Sequence, residues 1–375
     1  MSKKDMSQIA AQMLLPVVGL LVSLTAWGEQ PIAQPVIDGI CSEKMQEIYD
    51  EVKTPFKYGM IMEAPQGLKY DNPTVYRHNG LWCMLYIQFD GKGYETRFAT
   101  SKDLLHWEDH GLVLERGKPG EWDVEQADGF PMLLDTEWGG SNALKKFDGK
   151  YWMMYIGGAA RGYETDPLLT GVAYTDDPSV AKPWTKWKKN PVLSPFDKDA
   201  RYFEKVTLYK HFAVEDPSRA LGGRFVDFYN GKNVRGEEQV GIAVSDDMVT
   251  WRRYGADATI LDTRVGDPMI QRVGDIWVMF YYGYGRTCKG AFDTFACSRD
   301  LVHWTIWQGE PLVKPSEPWD SEHAHKPWVI KHDGVVYHFY NAVGNRGRGL
   351  ALATSVDMKT ISVSNQKLDQ TKKGK

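Results

Sequence analysis

The sequence predicts an all-β fold, a five-bladed β-propeller with four-stranded antiparallel blades. Three observations predict it: a short phrase that recurs five times, an aromatic strand upstream of each copy, and a small-residue strand directly before each copy. Internal repeats of this kind mark architectures built from one supersecondary unit. A ring of similar blades therefore explains the pattern better than a two-sheet sandwich, which lacks so long and regular a repeat.

The recurring phrase has the form S-x-D-x-x-x-W. It reads SKDLLHW at 101–107, SDDMVTW at 245–251 and SRDLVHW at 298–304, with divergent copies at 175–184 and 355–361. We expect its Asp to cap the turn between the third and fourth strands of a blade. Its Trp is expected to pack between neighbouring blades. The phrase therefore has a structural role and marks the end of each third strand.

The aromatic segments form the predicted second strands. Several follow Asn-Gly or Asp-Gly, as in NGLWCMLYIQF at 79–89 and DGVVYHFYNAVG at 333–344, and these dipeptides between apolar runs predict hairpins. The first strands lie just upstream, in DNPTVYRH, EKVTLYK, DPMIQRV and HKPWVIKH. For the second repeat the first strand is either DGFPMLL or SNALKKF, and the second choice would leave Asp128 in a loop.

The two ends of the chain lie outside the predicted propeller. Two lysines, an apolar run at 13–25 and small residues near its end are typical of a signal peptide, which we expect over residues 1–28. A lead-in segment is then expected over 29–65, the propeller catalytic domain over 66–365 and a polar tail over 366–375. The prediction is a periplasmic or secreted protein with no further membrane segment.

The composition limits the classes of molecule that the protein is expected to bind. The formal net charge of −4 comes without a basic tract, so nucleic acid is not an expected partner. The 14 Trp, 19 Tyr and 14 Phe suit a β-rich core or a carbohydrate-stacking surface. The four cysteines show no C-x-x-C spacing, and a disulfide between Cys288 and Cys297 and free thiols both remain open.

In a propeller, the starts of the first strands meet at one mouth of the channel. The residues at or beside these positions are Asp71, Asp128, Glu204, Asp267, Glu322 and His325. Like charges that converge repel one another, so their pKa values must separate, which leaves one carboxyl protonated while another is a base. Glycoside hydrolysis needs such a pair.

Loops and strand ends near this mouth supply candidate sugar-binding residues. Basic side chains after the second strands could bind hydroxyl or acidic groups, and aromatic side chains could wall a sugar subsite. These candidates are Arg161, Arg286, Arg346, Trp138, Tyr282 and Trp319. No metal-binding motif is present and no catalytic metal is predicted, although the channel carboxylates and histidine could hold a structural Ca²⁺.

At these residues the chain resembles the five-bladed propeller glycosidases: glycoside hydrolase family 43 and its relatives in families 32, 62, 117 and 130. The resemblance covers roughly residues 60–360. It is carried by DNPTVYRHNGLWCMLYIQ, GDPMIQRVGDIWVMFYYG, FEKVTLYK and SEHAHKPWVIKHDGVVYHFYNAV.

The resemblance implies two alternative sets of catalytic residues. In the first, Asp71 is the general base, Glu204 is the general acid, and either Asp128 or Asp267 orients them. The second set follows family 117, in which a His is the acid, and consists of Asp71, Asp267, Glu322 and His325. The sequence leaves both open.

The expected function is a secreted, exo-acting, inverting glycoside hydrolase that removes terminal sugars from oligosaccharides of plant or algal polysaccharides. A phosphorylase of the family 130 type is the alternative within enzymes. A sugar-binding propeller without catalysis is the alternative outside them.

Overall fold

The computed structural model describes residues 39–259, 264–285 and 287–360, which all belong to one compact unit beginning at Gly39. The expected signal peptide and polar tail lie outside the described residues. The described part begins with an α-helix, α1 (Ser42–Val52), and a strand β1 (Phe56–Met62). Groups of four antiparallel strands follow, and one parallel pair, Tyr94 with Gln126, joins the first two groups into a single sheet. We call each group a blade. This confirms the all-β class and the four-stranded antiparallel blades.

The strands follow one another along the chain in blade order. Blade one contains β2 (Lys69–His78), β3 (Leu81–Phe89), β4 (Tyr94–Ser101) and β5 (Glu108–Leu114), and blade two contains β6 (Gln126–Pro131), β7 (Tyr151–Gly158), β8 (Leu169–Thr175) and β9 (Thr185–Lys186). Blade three contains β10 (Thr207–Glu215), β11 (Phe225–Lys232), β12 (Glu238–Ser245) and β13 (Trp251–Tyr254). Blade four contains β14 (Val265–Val273), β15 (Ile276–Tyr284), β16 (Ala291–Ser298) and β17 (Thr305–Ile306), and blade five contains β18 (His323–His332), β19 (Val335–Gly344) and β20 (Gly347–Thr354). Each blade contacts the next, and blade five contacts blade one.

Blade five receives its fourth strand from the beginning of the chain. Strand β1 pairs antiparallel with β20, from Phe56 opposite Thr354 to Met62 opposite Leu350. Residues 56–62 therefore belong to the propeller-like domain, whereas the sequence placed them in a lead-in segment before residue 66. This pairing joins the first strand of the described residues to the last and so ties blade five to the start of the domain.

The aromatic second strands are buried on both faces because each blade lies between two others. In β7, seven of the eight residues are buried. The predicted hairpins have left-handed backbone at both turn residues, with φ of 48° and 80° at Asn79 and Gly80 and 47° and 78° at Asp333 and Gly334. Such a turn matches the twist of the flanking strands, which explains the Asn-Gly and Asp-Gly signals.

The recurring phrase closes the turn after the third strand, as expected. In blade three, Oδ1 of Asp247 accepts hydrogen bonds from the backbone N of Val249 at 3.0 Å and of Thr250 at 2.7 Å. The Nε1 of Trp251 donates to the carbonyl of Met248 at 2.8 Å. Blades one and four repeat these bonds. The phrase is therefore structural.

The tryptophans of this phrase also connect blades. Trp107 of blade one meets Phe339 of blade five edge-on, with ring centroids 6.0 Å apart, and Trp304 of blade four meets Phe228 of blade three at 5.8 Å. All four cysteines of the chain, including Cys288, have free thiols. Within the described ranges, no helix has the length and apolar character needed to span a membrane.

Candidate active site

A cavity of about 190 Å³ lies where the first residues of the innermost strands converge. It is smaller than the roughly 300–1,000 Å³ of pockets that enclose a drug-sized ligand. All five blades contribute to it. Its charged lining residues are Asp128, Glu164, Lys210, Glu238, Asp267, Lys326 and Arg348. The other polar and aromatic lining residues are Asn72, Tyr94, Tyr209, Asn230, Tyr282, Tyr284, His323 and His325.

β-Bulges in the innermost strands bring side chains to this cavity. The pairing register shifts next to Asn72 in β2, Asp267 in β14 and Lys326 in β18. Each of these residues precedes a proline and has left-handed backbone, with φ of 56°, 56° and 64° respectively. Left-handed backbone is unfavourable for residues with a side chain and persists where surrounding structure enforces it, often at functional sites.

Asp71 lies in β2 beside the cavity and does not line it. Its Oδ2 accepts hydrogen bonds from the Tyr163 hydroxyl, from Nη1 of Arg348 at 2.9 Å and from Nζ of Lys326 at 3.3 Å. Burial alone would raise the pKa of Asp71. The charges of Lys326 and Arg348, together with the hydrogen bond from the tyrosine hydroxyl, outweigh burial and hold the pKa of Asp71 well below its usual range.

Asp128 and Asp267 line the cavity, and their pKa values shift in the direction opposite to that of Asp71. Burial raises the pKa of both carboxyls, and the charge of Asp71 adds to the rise, while Lys326 and Lys210 oppose it. Asn72 donates from Nδ2 to both carboxylate oxygens of Asp128 at 3.3 Å.

Two buried lysines balance these carboxyls. Lys326 forms ion pairs with Asp71 at 3.3 Å and Glu164 at 2.9 Å, and although burial lowers the pKa of Lys326, these carboxylates raise it well above its usual value. Lys210 donates to the carbonyl of Pro327 at 3.3 Å. Burial lowers the pKa of Lys210 to about 8.

Glu238, the first residue of β12, is a partly buried carboxyl with two neutral partners. Its Oε2 accepts hydrogen bonds from the Tyr282 hydroxyl at 2.6 Å and Nδ2 of Asn230 at 2.8 Å. Burial raises the pKa of Glu238 to about 7, against these hydrogen bonds and together with the charges of Asp267 and Glu164. A carboxyl with this pKa can hold or release a proton near neutral pH.

Glu164 reaches the cavity from the loop between β7 and β8. Its backbone is left-handed, with a φ of 50°. The backbone N of Glu164 donates to the Tyr94 hydroxyl at 2.9 Å, and its carboxylate pairs with Lys326. Its side chain is 35% exposed, so solvent reaches it.

Comparison with known proteins identifies the class of this chain. No family model and no curated protein matches it. Among solved structures, a complex of BT0996 with RGII matches with 44% identity, 85% of this chain and 96% of the other covered, and a TM-score of 0.81. A structure named glycoside hydrolase matches with the same values. The chain is a glycoside hydrolase.

More distant structures support the fold of this glycoside hydrolase. Zg3597, a family 117 glycoside hydrolase of the marine bacterium Zobellia galactanivorans, matches with 14% identity over 82% of this chain and 92% of that chain, with a TM-score of 0.61. At this identity the likeness concerns the fold alone. The resemblance to the propeller glycosidases is thus confirmed.

The structure brings four sequence-predicted residues of the hydrolase together at the cavity: Asp128, Asp267, His325 and Tyr282. Asp128 lies within β6, so DGFPMLL and not SNALKKF provides the first strand of blade two. The Nδ1 of His325 donates to the backbone carbonyl of Asn341 at 3.3 Å. Burial holds the pKa of His325 well below its usual value, with Arg348 and Lys326 adding to the effect, so the ring is neutral at neutral pH.

Glu204, the expected general acid, does not line the cavity. It ends a short 3-10 helix, Tyr202–Glu204, and is fully buried. Its Oε1 accepts hydrogen bonds from Nε of Arg253 and from the backbone N of Arg201, the latter at 2.6 Å. The carboxylate thus belongs to a buried ion pair that fixes the segment before β10.

The aromatic and acidic candidates outside the cavity have other contacts. Trp138 donates from Nε1 to Glu51 of α1 at 2.7 Å, beyond the far end of the innermost strands. Trp319 donates to the Tyr340 hydroxyl at 3.4 Å. Glu322 is exposed and precedes β18. None of the three lines the cavity.

Two of the arginine candidates also lie away from the cavity. Arg161 pairs with Glu125 at 2.8 Å and Arg346 with Glu63 at 2.6 Å, both near the surface. Arg286 lies outside the described residues. Across the ranges that the structure describes, no group of three or more His, Cys, Asp or Glu side chains has the geometry of a metal site.

Several cavity residues were not predicted as sites from the sequence. Asn72 and Lys326 could have been found, because each precedes a proline in D-N-P and H-K-P, just as Asp267 does in G-D-P. Glu164 and Glu238 belong to the hairpins between second and third strands, where the sequence singled out only basic residues. These hairpins do not share the strand-start position that the repeat marks.

Proposed function

We propose that this glycoside hydrolase is a five-bladed β-propeller that removes single terminal sugars from an oligosaccharide. The observation that carries the proposal is a small cavity faced by two glutamates from hairpins of adjacent blades, Glu164 and Glu238. One has a raised pKa and the other is ion-paired, which is how two carboxyls take different roles in glycosidic bond cleavage.

Glu238 is the proposed general acid. Its pKa of about 7 leaves a substantial protonated fraction at neutral pH, and protonation of the departing glycosidic oxygen needs that proton. The Tyr282 hydroxyl and Asn230 amide fix the position of the carboxyl.

Glu164 is the proposed second carboxylate. Its carboxylate forms an ion pair with Lys326 at 2.9 Å, which holds it at the cavity. Its partial exposure supports an inverting reaction, in which Glu164 removes a proton from water as that water attacks the anomeric carbon. The neutral state of His325 and the exposed position of Glu322 argue against a catalytic set built on those two residues.

An exo mode of action is supported by what lies at the other end of the innermost strands. Helix α1 buries Met45, Ile48 and Val52 in the core cluster that these strands share. Its Glu51 accepts hydrogen bonds from Trp138 and from Lys331, near the end of β18. A chain could not thread past this helix, so the cavity would receive only the end of a substrate.

We further propose a plant oligosaccharide as substrate and a periplasmic or secreted location. The 44% identical BT0996 structure, a complex with RGII, supports this proposal of the substrate. The location rests on the signal-peptide pattern of residues 1–28.

The test is incubation of the protein with RGII-derived and other plant and algal oligosaccharides and with aryl glycosides, while NMR follows the anomeric protons. We expect release of one sugar at a time with inverted configuration, and its loss in Glu238→Gln and Glu164→Gln. Release of longer fragments would contradict exo action, and first-formed product of retained configuration would contradict inversion. Phosphate-dependent formation of a sugar phosphate would instead indicate a phosphorylase, and binding without release a non-catalytic protein.

A further inference from the structure

Asp71 is surrounded by hydrogen-bond donors on both carboxylate oxygens. Besides the three donors to Oδ2, its Oδ1 accepts a hydrogen bond from the backbone N of Asn72 at 2.8 Å. The side chain is 1% exposed and lies outside the cavity lining. A water molecule to be activated would have to displace one of these donors.

Tyr163 connects Asp71 to the loop that carries Glu164. Its ring is held between cations, with Nζ of Lys69 at 4.6 Å and the guanidinium of Arg348 at 4.7 Å from the centroid. Edge contacts with Phe89 and Tyr94 of blade one, at 5.5 and 5.4 Å, hold the ring from the sides. A residue of blade two is thus locked onto blade one directly beside Glu164.

Lys326 forms the second connection. Its ammonium bridges Asp71 and Glu164, at 3.3 and 2.9 Å. Asp71 therefore reaches Glu164 by two routes, through the backbone from Tyr163 and through the charge of Lys326. Glu164 has left-handed backbone, a conformation that needs such external support.

We propose that Asp71 is a positioning residue, which holds Tyr163 and Lys326 and through them fixes the carboxylate of Glu164 at the cavity. The inference deepens the proposed function and rests on the role of Glu164 given there. It replaces the general-base role that the family resemblance implied for Asp71. Its low pKa agrees, because a carboxylate that is so weakly basic removes a proton from water poorly.

The first test is a double-mutant cycle between Tyr163→Phe and Asp71→Asn, with Tyr174→Phe of β8 as the matched loss of a tyrosine hydroxyl. Misplacing a reacting group by about 1 Å costs roughly 100-fold in rate, so we expect each change to lower kcat by about that factor. The double variant should lose little more than Asp71→Asn alone, because Asp71→Asn already breaks the connection through Tyr163. Independent, additive losses would overturn the proposal.

The same cycle is read in the free energy of unfolding, which needs no substrate. Coupling between Tyr163→Phe and Asp71→Asn in unfolding but not in kcat would overturn the positioning role, because the contact would then be structural only. If the wild-type protein released no sugar from any substrate, the proposed function would fail. The unfolding cycle would still decide whether the connection exists.

The second test is chemical rescue with azide of two alanine variants. Azide entering the space left by Glu164→Ala should attack the anomeric carbon in place of water, while the glycosidic C–O bond breaks and Glu238 protonates the departing oxygen. The turnover of Glu164→Ala should then rise about tenfold or more, with a glycosyl azide as the product. Asp71→Ala should show no rescue, since Tyr163 covers the vacated space. Rescue of Asp71→Ala without rescue of Glu164→Ala would show Asp71 to be the base and overturn the inference. If azide rescues neither, the role of Glu164 is contradicted and the double-mutant cycle alone decides.

Discussion

The pKa of Glu238 predicts the shape of the pH profile of this hydrolase. The carboxyl of an ordinary glutamate has a pKa of 4.5, whereas burial raises the pKa of Glu238 to about 7. At 1.36 kcal/mol per pH unit, this rise disfavours the ionised form by about 3 kcal/mol. Because the proposed acid works only when protonated, kcat/KM should be level below neutral pH and fall about tenfold per pH unit above about 7.

The change Tyr282→Phe tests whether Glu238 causes this fall in kcat/KM, which is the basic limb of the pH profile. The Tyr282 hydroxyl donates to the Glu238 carboxylate at 2.6 Å, and this hydrogen bond lowers the pKa. Its removal takes a stabilising donor from the ionised form only. The basic limb should therefore move to higher pH in Tyr282→Phe, even if kcat itself falls.

The assay is kcat/KM for sugar release between pH 5 and 9, at constant ionic strength, in the wild type, Tyr282→Phe and Glu238→Gln. Tyr174→Phe is the control, since its hydroxyl lies on β8, outside the cavity lining. Glu238→Gln should lose most activity towards substrates with poor leaving groups and have no limb near 7. A limb that persists in Glu238→Gln, or moves to lower pH in Tyr282→Phe, would refute the reasoning.

Three further predictions concern stability. The folded-state pKa of Glu238 is raised, so the wild type should lose up to about 3 kcal/mol of unfolding free energy as pH rises from about 4.5 to 7, and urea unfolding of Glu238→Gln should lack this loss. Glu204→Gln should lower the unfolding free energy by about 3 kcal/mol, because it weakens the buried ion pair with Arg253. The fall in kcat/KM above about pH 7 should remain in this variant. A cavity acid at position 204 would instead abolish that limb. Asp247→Ala should cost about 1 kcal/mol in thermal unfolding with kcat unchanged, because it removes a turn cap with two backbone bonds; no loss would contradict the capping role.

The fold was accessible from the sequence because each blade is locally encoded. The Asp-Gly turns, aromatic second strands and S-x-D-x-x-x-W phrase all depend on contacts within one blade or with the next. The fourth strand of blade five could not be predicted from the sequence, because its pairing joins Phe56 to Thr354 across the length of the domain. No local pattern in residues 56–62 indicates that distant partner.

The residues of the site could be predicted from the sequence only in part, for a related reason. The repeat marks the starts of the innermost strands, and Asp128, Asp267 and His325 do lie at the cavity. In blade three, the same alignment selected Glu204, whereas the residues of β10 that line the cavity are Tyr209 and Lys210, five and six positions later. The ion pair of Glu204 with Arg253 forms only when blade three has folded, and the spacing of the repeats along the sequence does not predict it.

The arrangement of charges explains why the proposed acid and base come from hairpins rather than strand starts. The strand-start carboxyls sit among Lys210, Lys326 and Arg348, and these cations and carboxyls largely neutralise one another within a buried ring. Carboxyls committed to such a network are costly to move or to titrate separately. A hairpin between the second and third strands can change its length and residues without disturbing the sheet, so it can present Glu238 to neutral donors and Glu164 to a single lysine. The two carboxyls therefore lie in different surroundings, and the strand-start network supplies the rigid support that holds both at the cavity.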